Sequence, residues 1–190
     1  MGAVGVNNSS SPYSSGEQKM RVALRSVEDK IRNDSTETAV VYDKDGNEVL
    51  NKNQGMPDGV DFTEDEAKLF SDAVFTHNHP SGTTFSSADI QTAISTGLKE
   101  IRACYSDGAY VLTRNYDIGD VVPVKYQYLA QDYQYARDEY RTTVVDPIWN
   151  NSSQTEAEAQ KCNTMLSDFR KKWLSDHSHE YGWTYKEEKK

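Results

Sequence analysis

The apolar positions in the first part of the chain recur with two different periods, which predict a helix followed by strands. Residues 17–32 carry an apolar residue at every third or fourth position, which is the spacing of one helix face. Residues 38–43 form a short apolar run that is typical of a strand. The Asp45-Gly46 pair that follows is typical of a hairpin turn, so residues 48–50 are predicted to return as the partner strand.

The middle of the chain continues this alternation of helices and strands. Thr63 and Glu66 have the spacing of a capping box, which predicts the start of a short helix. The segments after it predict, in order, a strand, a helix and a second hairpin over residues 74–79, 87–100 and 101–113. Arg102 lies on that hairpin and Arg114 directly follows it; either could bind a substrate carboxylate, but an arginine on a strand face is usually a surface residue, and both are left outside the candidate site. We therefore expect an α+β fold in which helices flank a mixed sheet.

From residue 124 onward the pattern becomes helical and rich in tyrosine. A first helix is predicted to end near Pro147 and a second to cover residues 155–175, and the two together predict an antiparallel helical hairpin. Their aromatic stripe is interpreted as core, although tyrosines also favour a surface that binds a protein partner. The charged residues 186–190 are interpreted as a solvated terminus.

These patterns divide the chain into three parts. Residues 1–16 are rich in Gly, Asn and Ser and predict a disordered leader, which would suit a domain tethered to a larger protein. Residues 17–122 are the predicted α/β domain, and residues 123–190 are the predicted Tyr-rich helical appendage.

The composition and charge of the chain indicate which classes of binding partner are favourable. The net charge of the chain is −9, and residues 37–122 contain 15 acidic and 6 basic side chains. An acidic domain repels phosphate backbones, so nucleic acid is an unfavourable partner. The charge is compatible with a peptide or protein substrate, particularly a basic one, although acidity that only maintains solubility explains it equally well.

Membrane association is not expected. No apolar run approaches the length of a membrane span, and the N-terminus lacks the pattern of a signal peptide. We therefore expect a cytoplasmic protein, or one exported as part of a larger effector. Cys104 and Cys162 are too few and too far apart for a disulfide framework and are interpreted as ordinary thiols.

The candidate chemistry lies where the strand at residues 74–79 ends. His77 and His79 are two positions apart, so in an extended chain both side chains point to the same side. Asp89 falls in the first turn of the next predicted helix. Two imidazoles, a carboxylate and an open position suit a catalytic zinc ion better than calcium or magnesium. Ser86 and Asp89 also fit a capping box, which is compatible with metal binding because a carboxylate has two oxygens.

The string His77-Asn78-His79-Pro80-Ser81-Gly82, followed by Ser86 and Asp89, resembles the signature of the JAB/MPN metalloproteases. It is most similar to the RadC-type and the phage- or toxin-associated bacterial branches, and the resemblance covers residues 18–114. The resemblance implies that His77, His79 and Asp89 bind zinc and that Ser86 helps to stabilise the tetrahedral intermediate. The loop between His79 and Ser86 is one residue shorter than is usual in the family, and Ser87 is the adjacent alternative.

The resemblance also implies an upstream glutamate that handles the proton, and two residues are candidates for it. Glu37 enters the first predicted strand shortly after the first helix, a position similar to that of the family's glutamate. It is therefore the preferred general acid/base. Glu48, in the return strand, is the second candidate.

The function that the resemblance implies is a zinc-dependent hydrolase that cleaves a peptide or isopeptide bond of a protein or peptide substrate. Two alternatives stay open. One is a catalytically inactive JAB-like binding or assembly module of the phage structural type, and the other is the effector or toxin domain of a larger protein. The helical appendage offers a surface for a protein partner.

Overall fold

The strands of this protein form a six-stranded mixed sheet in the order β2-β1-β3-β4-β5-β6. The computed structural model describes residues 15–120 and 124–190. The strands are β1 (Thr38–Tyr42), β2 (Glu48–Asn53), β3 (Val74–Asn78), β4 (Glu100–Tyr105), β5 (Gly108–Arg114) and β6 (Trp183–Lys189). Strands β3 and β4 pair in parallel, and the other neighbouring strands pair antiparallel. The expected α+β fold with a mixed sheet is confirmed.

Helices cover both faces of this sheet. They are α1 (Ser15–Ile31), α2 (Glu64–Ala67), α3 (Ser87–Thr96), α4 (Leu129–Tyr140), α5 (Asp146–Asn150) and α6 (Glu156–His177). Short 3-10 turns at Lys68–Phe70, Val124–Tyr128 and Ser178–Tyr181 and a π turn at Arg141–Val145 complete the helical structure. Among residues 15–120 and 124–190, no helix combines the length and apolar character that a bilayer crossing requires.

The alternation of side chains along the strands gives each helix layer its own apolar surface. Helix α1 packs Met20 and Leu24 on one face of the sheet, where they meet Val40 and Val74. The larger core lies on the opposite face, under α3, α4 and α6, and it includes Phe75 among its buried residues. His77 belongs to the same face as Phe75 because it lies two positions further along β3. The larger core therefore supports the candidate site.

Helices α4 and α6 run antiparallel, as their aromatic contacts show. Tyr133 lies against Trp173 with ring centroids 5.5 Å apart, and Tyr140 lies against Phe169 at 4.2 Å. From α4 the helical path continues through the π turn into α5, with Pro147 in the first turn of α5. The path ends at Asn150, close to the predicted end near Pro147.

Residues 186–190 are largely exposed, as predicted, but most of this segment belongs to the edge strand β6, which the sequence pattern did not predict. The strand pairs antiparallel with β5 from Trp183 opposite Arg114 to Lys189 opposite Gly108. Trp183 is fully buried and Tyr185 packs against the larger core. Trp183 and Tyr185 are two positions apart, so both side chains lie on the side of the strand that faces the core. The charged residues that follow them continue the pairing with β5.

The interpretation of Arg102 and Arg114 as surface residues is wrong. Arg102 is 4% exposed, and its guanidinium pairs with Glu28 at 2.6 Å and with Glu188 at 2.7 Å. Arg114 is 2% exposed, and it pairs with Asp72 at 2.5 Å. Burial is tolerated because each guanidinium is paired with at least one carboxylate from another part of the fold.

Two predicted segment boundaries fall at the limits of the described residues. The predicted leader, residues 1–16, lies outside them except for Ser15 and Gly16, which begin α1. The predicted boundary between residues 122 and 123 also lies outside them. Cys104 and Cys162 are free and buried, as the sequence predicts for ordinary thiols.

Candidate metal centre

The two histidines of the candidate site meet at the carboxyl end of β3. His77 is fully buried and its ring stacks on Phe75 with centroids 4.9 Å apart. The backbone N–H of His79 donates to the carbonyl of Cys104 at 2.9 Å, which continues the β3–β4 pairing past the end of the strand. The extended backbone therefore brings both imidazoles to one side, and their Nε2 atoms are 2.9 Å apart.

The loop after the strand sets the tautomer of His79. Its Nδ1 lies 2.7 Å from the backbone oxygen of Thr83. A carbonyl oxygen can only accept, so Nδ1 carries the hydrogen and Nε2 of the neutral ring presents a lone pair. A metal ligand with its other ring nitrogen hydrogen-bonded to a carbonyl is the usual arrangement for histidine.

Asp89 faces both imidazoles from the first turn of α3. Its Oδ1 is 3.5 Å from Nε2 of His77, and its Oδ2 is 3.6 Å from Nε2 of His79. Ser86 holds this carboxylate, because its backbone N–H and its hydroxyl donate to Oδ2 at 2.6 and 2.8 Å. The backbone N–H of Asp89 donates back to the Ser86 hydroxyl oxygen at 3.1 Å, which completes the capping box. The cap and the approach of Asp89 to the histidines thus coexist.

The hydroxyl of Ser86 is engaged in orienting Asp89 in this structure. Its role as a hydrogen-bond donor to an oxyanion therefore stays a prediction. The adjacent Ser87 donates its hydroxyl to Gln134 of α4 at 2.7 Å, which ties the start of α3 to the C-terminal helices.

Glu37 lies at the site, and Glu48 does not. Glu37 is 7% exposed, and its Oε1 is 4.0 Å from Nε2 of His77. Glu48 is exposed and lies opposite Tyr42, at the other end of β1 from Glu37. At about 3.3 Å per residue, the length of β1 separates the two glutamates by roughly 16 Å. Of the two candidates for proton transfer, the structure brings only Glu37 to the histidines.

Asn78 fixes the segment that carries Glu37, a role that the sequence pattern did not indicate. This residue is fully buried on the opposite face of β3 from His77. Its Oδ1 accepts from the backbone N–H of Thr38 at 2.8 Å, and its Nδ2 donates to the carbonyls of Asp34 and Thr36 at 3.3 and 3.1 Å. The residue between the two histidines therefore anchors the backbone on both sides of Glu37.

The electrostatics of the cluster couple its four groups. Burial lowers the pKa of His77, but the Asp89 carboxylate, together with Glu37 and the backbone at Arg102, raises it, and the net effect is a raised pKa. Burial and the neighbouring His77 lower the pKa of His79 to about 4. Burial opposes ionisation of Asp89, but His77 and His79 hold the pKa of its carboxyl well below its usual range. Burial raises the pKa of Glu37, with Asp89 adding to the shift and His77 reducing it.

The donor set fits a tetrahedral zinc ion. Neighbouring ligand atoms around zinc, with bonds of about 2.0–2.1 Å, lie about 3.3 Å apart. The distances of 3.5 and 3.6 Å from Asp89 to the imidazoles are close to that value, and the 2.9 Å between the imidazoles needs a small opening. Glu37 also lies within 4.8 Å of the ligand atoms of both histidines. The two Asp89 distances involve different carboxylate oxygens, whereas one oxygen of Glu37 lies within reach of both histidines, so either carboxylate could supply the third ligand atom.

The cluster opens onto a cleft of about 680 Å³. Glu37, His79 and Asp89 line the cleft together with Asp58 from the loop before α2 and Arg170 from α6. A cleft of this size accommodates a short segment of a substrate. Nothing in the helical pattern of α6 distinguishes Arg170 from a surface arginine, so its place in this cleft could not be predicted.

The structure thus unites four of the residues that the sequence singled out: His77, His79, Asp89 and Glu37. Ser86 joins them through Asp89. Comparison with known proteins adds no relative, because the chain matches no family model and has no significant match among curated proteins or solved structures.

Proposed function

We propose that this protein is a zinc-dependent hydrolase that cleaves a peptide or isopeptide bond, as its resemblance to the JAB/MPN metalloproteases implies. One observation carries the proposal. Asp89 lies within 3.6 Å of both imidazole Nε2 atoms through its two oxygens, and Oε1 of Glu37, which lines the same cleft, lies 4.0 Å from Nε2 of His77.

His77, His79 and Asp89 would hold the zinc ion. Bound zinc supplies Lewis acidity, which polarises a carbonyl and lowers the pKa of a water ligand to about 7. The protein contributes the orientation of the ligands: the Thr83 carbonyl sets the tautomer of His79, and Ser86 directs the carboxylate of Asp89.

Glu37 is the proton carrier in this proposal. Its Oε1 is 4.0 Å from Nε2 of His77, which exceeds the spacing expected between two ligands of one zinc ion. A raised pKa brings a carboxyl group closer to the pH at which it both accepts and donates protons effectively. Glu37 accepts a proton from the attacking water and returns it to the leaving amine. A hydrogen bond from Ser86 to the oxyanion requires its hydroxyl to rotate away from Asp89.

The charged residues that line the cleft indicate which charge a substrate should carry. Asp58 and Asp61 line it beside Glu37, and Arg170 contributes a positive charge. The acidic lining favours a substrate with a basic residue near the scissile bond.

The test combines metal analysis with turnover. We expect about one zinc per chain in the wild type and a loss of zinc in the His77→Ala/His79→Ala double variant. Glu37→Gln should retain zinc and lose roughly 10²- to 10⁴-fold in hydrolysis of a fluorogenic peptide library. Glu48→Gln is the matched control, because the same change at the far end of β1 should leave both quantities unchanged.

Two results would contradict the proposal. A wild-type protein that takes up no zinc after reconstitution has no metal centre at these residues. A protein that binds zinc but shows no turnover would instead be a binding or assembly module that keeps the metal site without catalysis. Turnover that the Glu37→Gln change leaves intact would contradict the role of Glu37.

A further inference from the structure

The C-terminal helices hold the loop that joins the two halves of the candidate metal centre. The carbonyl of Phe85 accepts hydrogen bonds from the hydroxyl of Tyr133, at 2.8 Å, and from Nη2 of Arg170. Nη2 of Arg170 also donates to the carbonyl of Thr84 at 3.2 Å, and its Nε donates to the Tyr133 hydroxyl at 2.8 Å. Tyr133 comes from α4 and Arg170 from α6. We refer to these two side chains as the clamp.

The loop that the clamp holds carries contacts to two of the predicted zinc ligands. At its start, the Thr83 carbonyl accepts from Nδ1 of His79. At its end, Ser86 holds the carboxylate of Asp89. The clamped carbonyls of residues 84 and 85 lie between these two contacts. Any shift of the loop therefore moves the partner of His79 and the partner of Asp89 together.

The loop needs external support because its own sequence favours flexibility. Gly82 has a φ of +68°, in the left-handed region, and Ser81 is exposed. Ordering a loop costs about 1–2 kcal/mol per residue in backbone entropy, so contacts from elsewhere must offset that cost. Phe85 and Tyr133 are both fully buried, and Phe85 packs in the larger core with its carbonyl held by two donors. This anchored point lies directly before Ser86.

We propose that Tyr133 and Arg170 are positioning residues of the metal centre, and that they fix the approach of Asp89 and His79 to the zinc ion. The C-terminal helices are then part of the site. The inference deepens the proposed function and rests on it for the identity of the metal. Neither residue touches the metal ligands directly in the contacts described above, and each acts through the backbone of residues 83–86.

Zinc affinity measured by competition with a chromogenic chelator tests the proposal. Loss of a residue that supports metal ligands typically weakens metal binding by about 10- to 100-fold, and we expect Arg170→Ala to fall in that range. Tyr133→Phe keeps the buried ring and removes one hydroxyl, so its loss should be smaller. Arg170→Lys keeps the charge without the forked geometry and should restore part of the affinity.

The matched control is Arg141→Ala. Arg141 is an exposed arginine of the π turn that follows α4, and its guanidinium pairs with Asp146 at 3.5 Å. Its removal should leave the zinc dissociation constant within about twofold of the wild type, because an exposed ion pair contributes little.

Amide hydrogen exchange on the metal-free protein provides the second measurement. The N–H groups of Ser86 and Asp89 are both hydrogen-bonded within the capping box, so they report on the loop without any metal. Arg170→Ala should increase their exchange rates at least about tenfold while the amides of β4 and β5 exchange as in the wild type. A general loss of stability would accelerate all of these amides together.

The outcomes separate this inference from the proposed function. If the wild type binds zinc and the clamp variants bind it equally well, with unchanged exchange at Ser86 and Asp89, the clamp is overturned and the hydrolase proposal stands. If the wild type binds no zinc, the proposed function fails, and the exchange rates alone decide whether Tyr133 and Arg170 position the loop.

Discussion

Replacing Asn78 with alanine would remove the connection between the histidine strand and the segment that carries Glu37. Three backbone groups lose their partner at once: the N–H of Thr38 and the carbonyls of Asp34 and Thr36. Because Asn78 and Thr38 are both buried, no water replaces the missing side chain at the N–H of Thr38 without rearrangement of the strand.

The expected loss of stability follows from the surroundings of each group. Thr38 is buried, so an N–H without a partner there costs about 2 kcal/mol. Asp34 is exposed and Thr36 is half-buried, so water can reach their carbonyls and each lost bond costs about 0.5 kcal/mol. The total is about 3 kcal/mol, which corresponds to a fall in Tm of roughly 6–12 °C for a chain of this size.

Urea unfolding followed by circular dichroism measures this difference, provided that the m value is unchanged between the variants. Asn51→Ala is the control, because Asn51 is an exposed asparagine that donates to Glu48 at 3.2 Å, and its loss should cost less than about 0.5 kcal/mol. An Asn78→Ala protein within about 0.5 kcal/mol of the wild type would refute the reasoning, since it would mean that the three backbone groups find other partners.

Two further predictions concern strand β6. Burial opposes ionisation of Glu188, but hydrogen bonds from Arg102 and Lys186 lower its pKa to about 2. Since this folded-state pKa lies below the unfolded value of about 4.3, the pairing stabilises the protein above pH 4.3, and the contribution disappears as the pH falls toward 2. Glu188→Gln should therefore lose less stability than the wild type between pH 6 and pH 3, and equal losses in their urea midpoints would contradict this account. A Cβ at Gly108 would lie 2.1 Å from the backbone oxygen of Glu188, so Gly108→Ala should cost at least about 2 kcal/mol and accelerate amide exchange along β6. Unchanged exchange along β6 would mean that β5 and β6 accommodate the added methyl group without weakening their pairing, which would contradict this account.

Local patterns predicted most of the elements, because hydrophobic periodicity reflects the geometry of a few consecutive residues. The helix at α1, the hairpin around Gly46 and the helical pair all follow from such spacing. The failures concern residues whose structure depends on partners that are distant in the sequence. Strand β6 contains more charged than apolar residues, and only the pairing with β5 and the burial of Trp183 reveal it as a strand. Arg102 has the sequence context of a surface residue, and two of its three carboxylate partners lie on α1 and β6, far from it in the sequence.

The same distinction between local pattern and tertiary contact applies to the candidate site. The sequence by itself determined that His77 and His79 share one side of a strand end and that Ser86 caps the helix of Asp89, because these relations span only a few residues. The tertiary structure decided that Glu37, and not Glu48, reaches the histidines, since β1 pairs with β3 in a register that places Ala39 opposite His77. It also brought Arg170 to the loop before Ser86. Contacts between residues so distant in sequence depend on the packing of whole elements, and no periodic pattern along the chain encodes them.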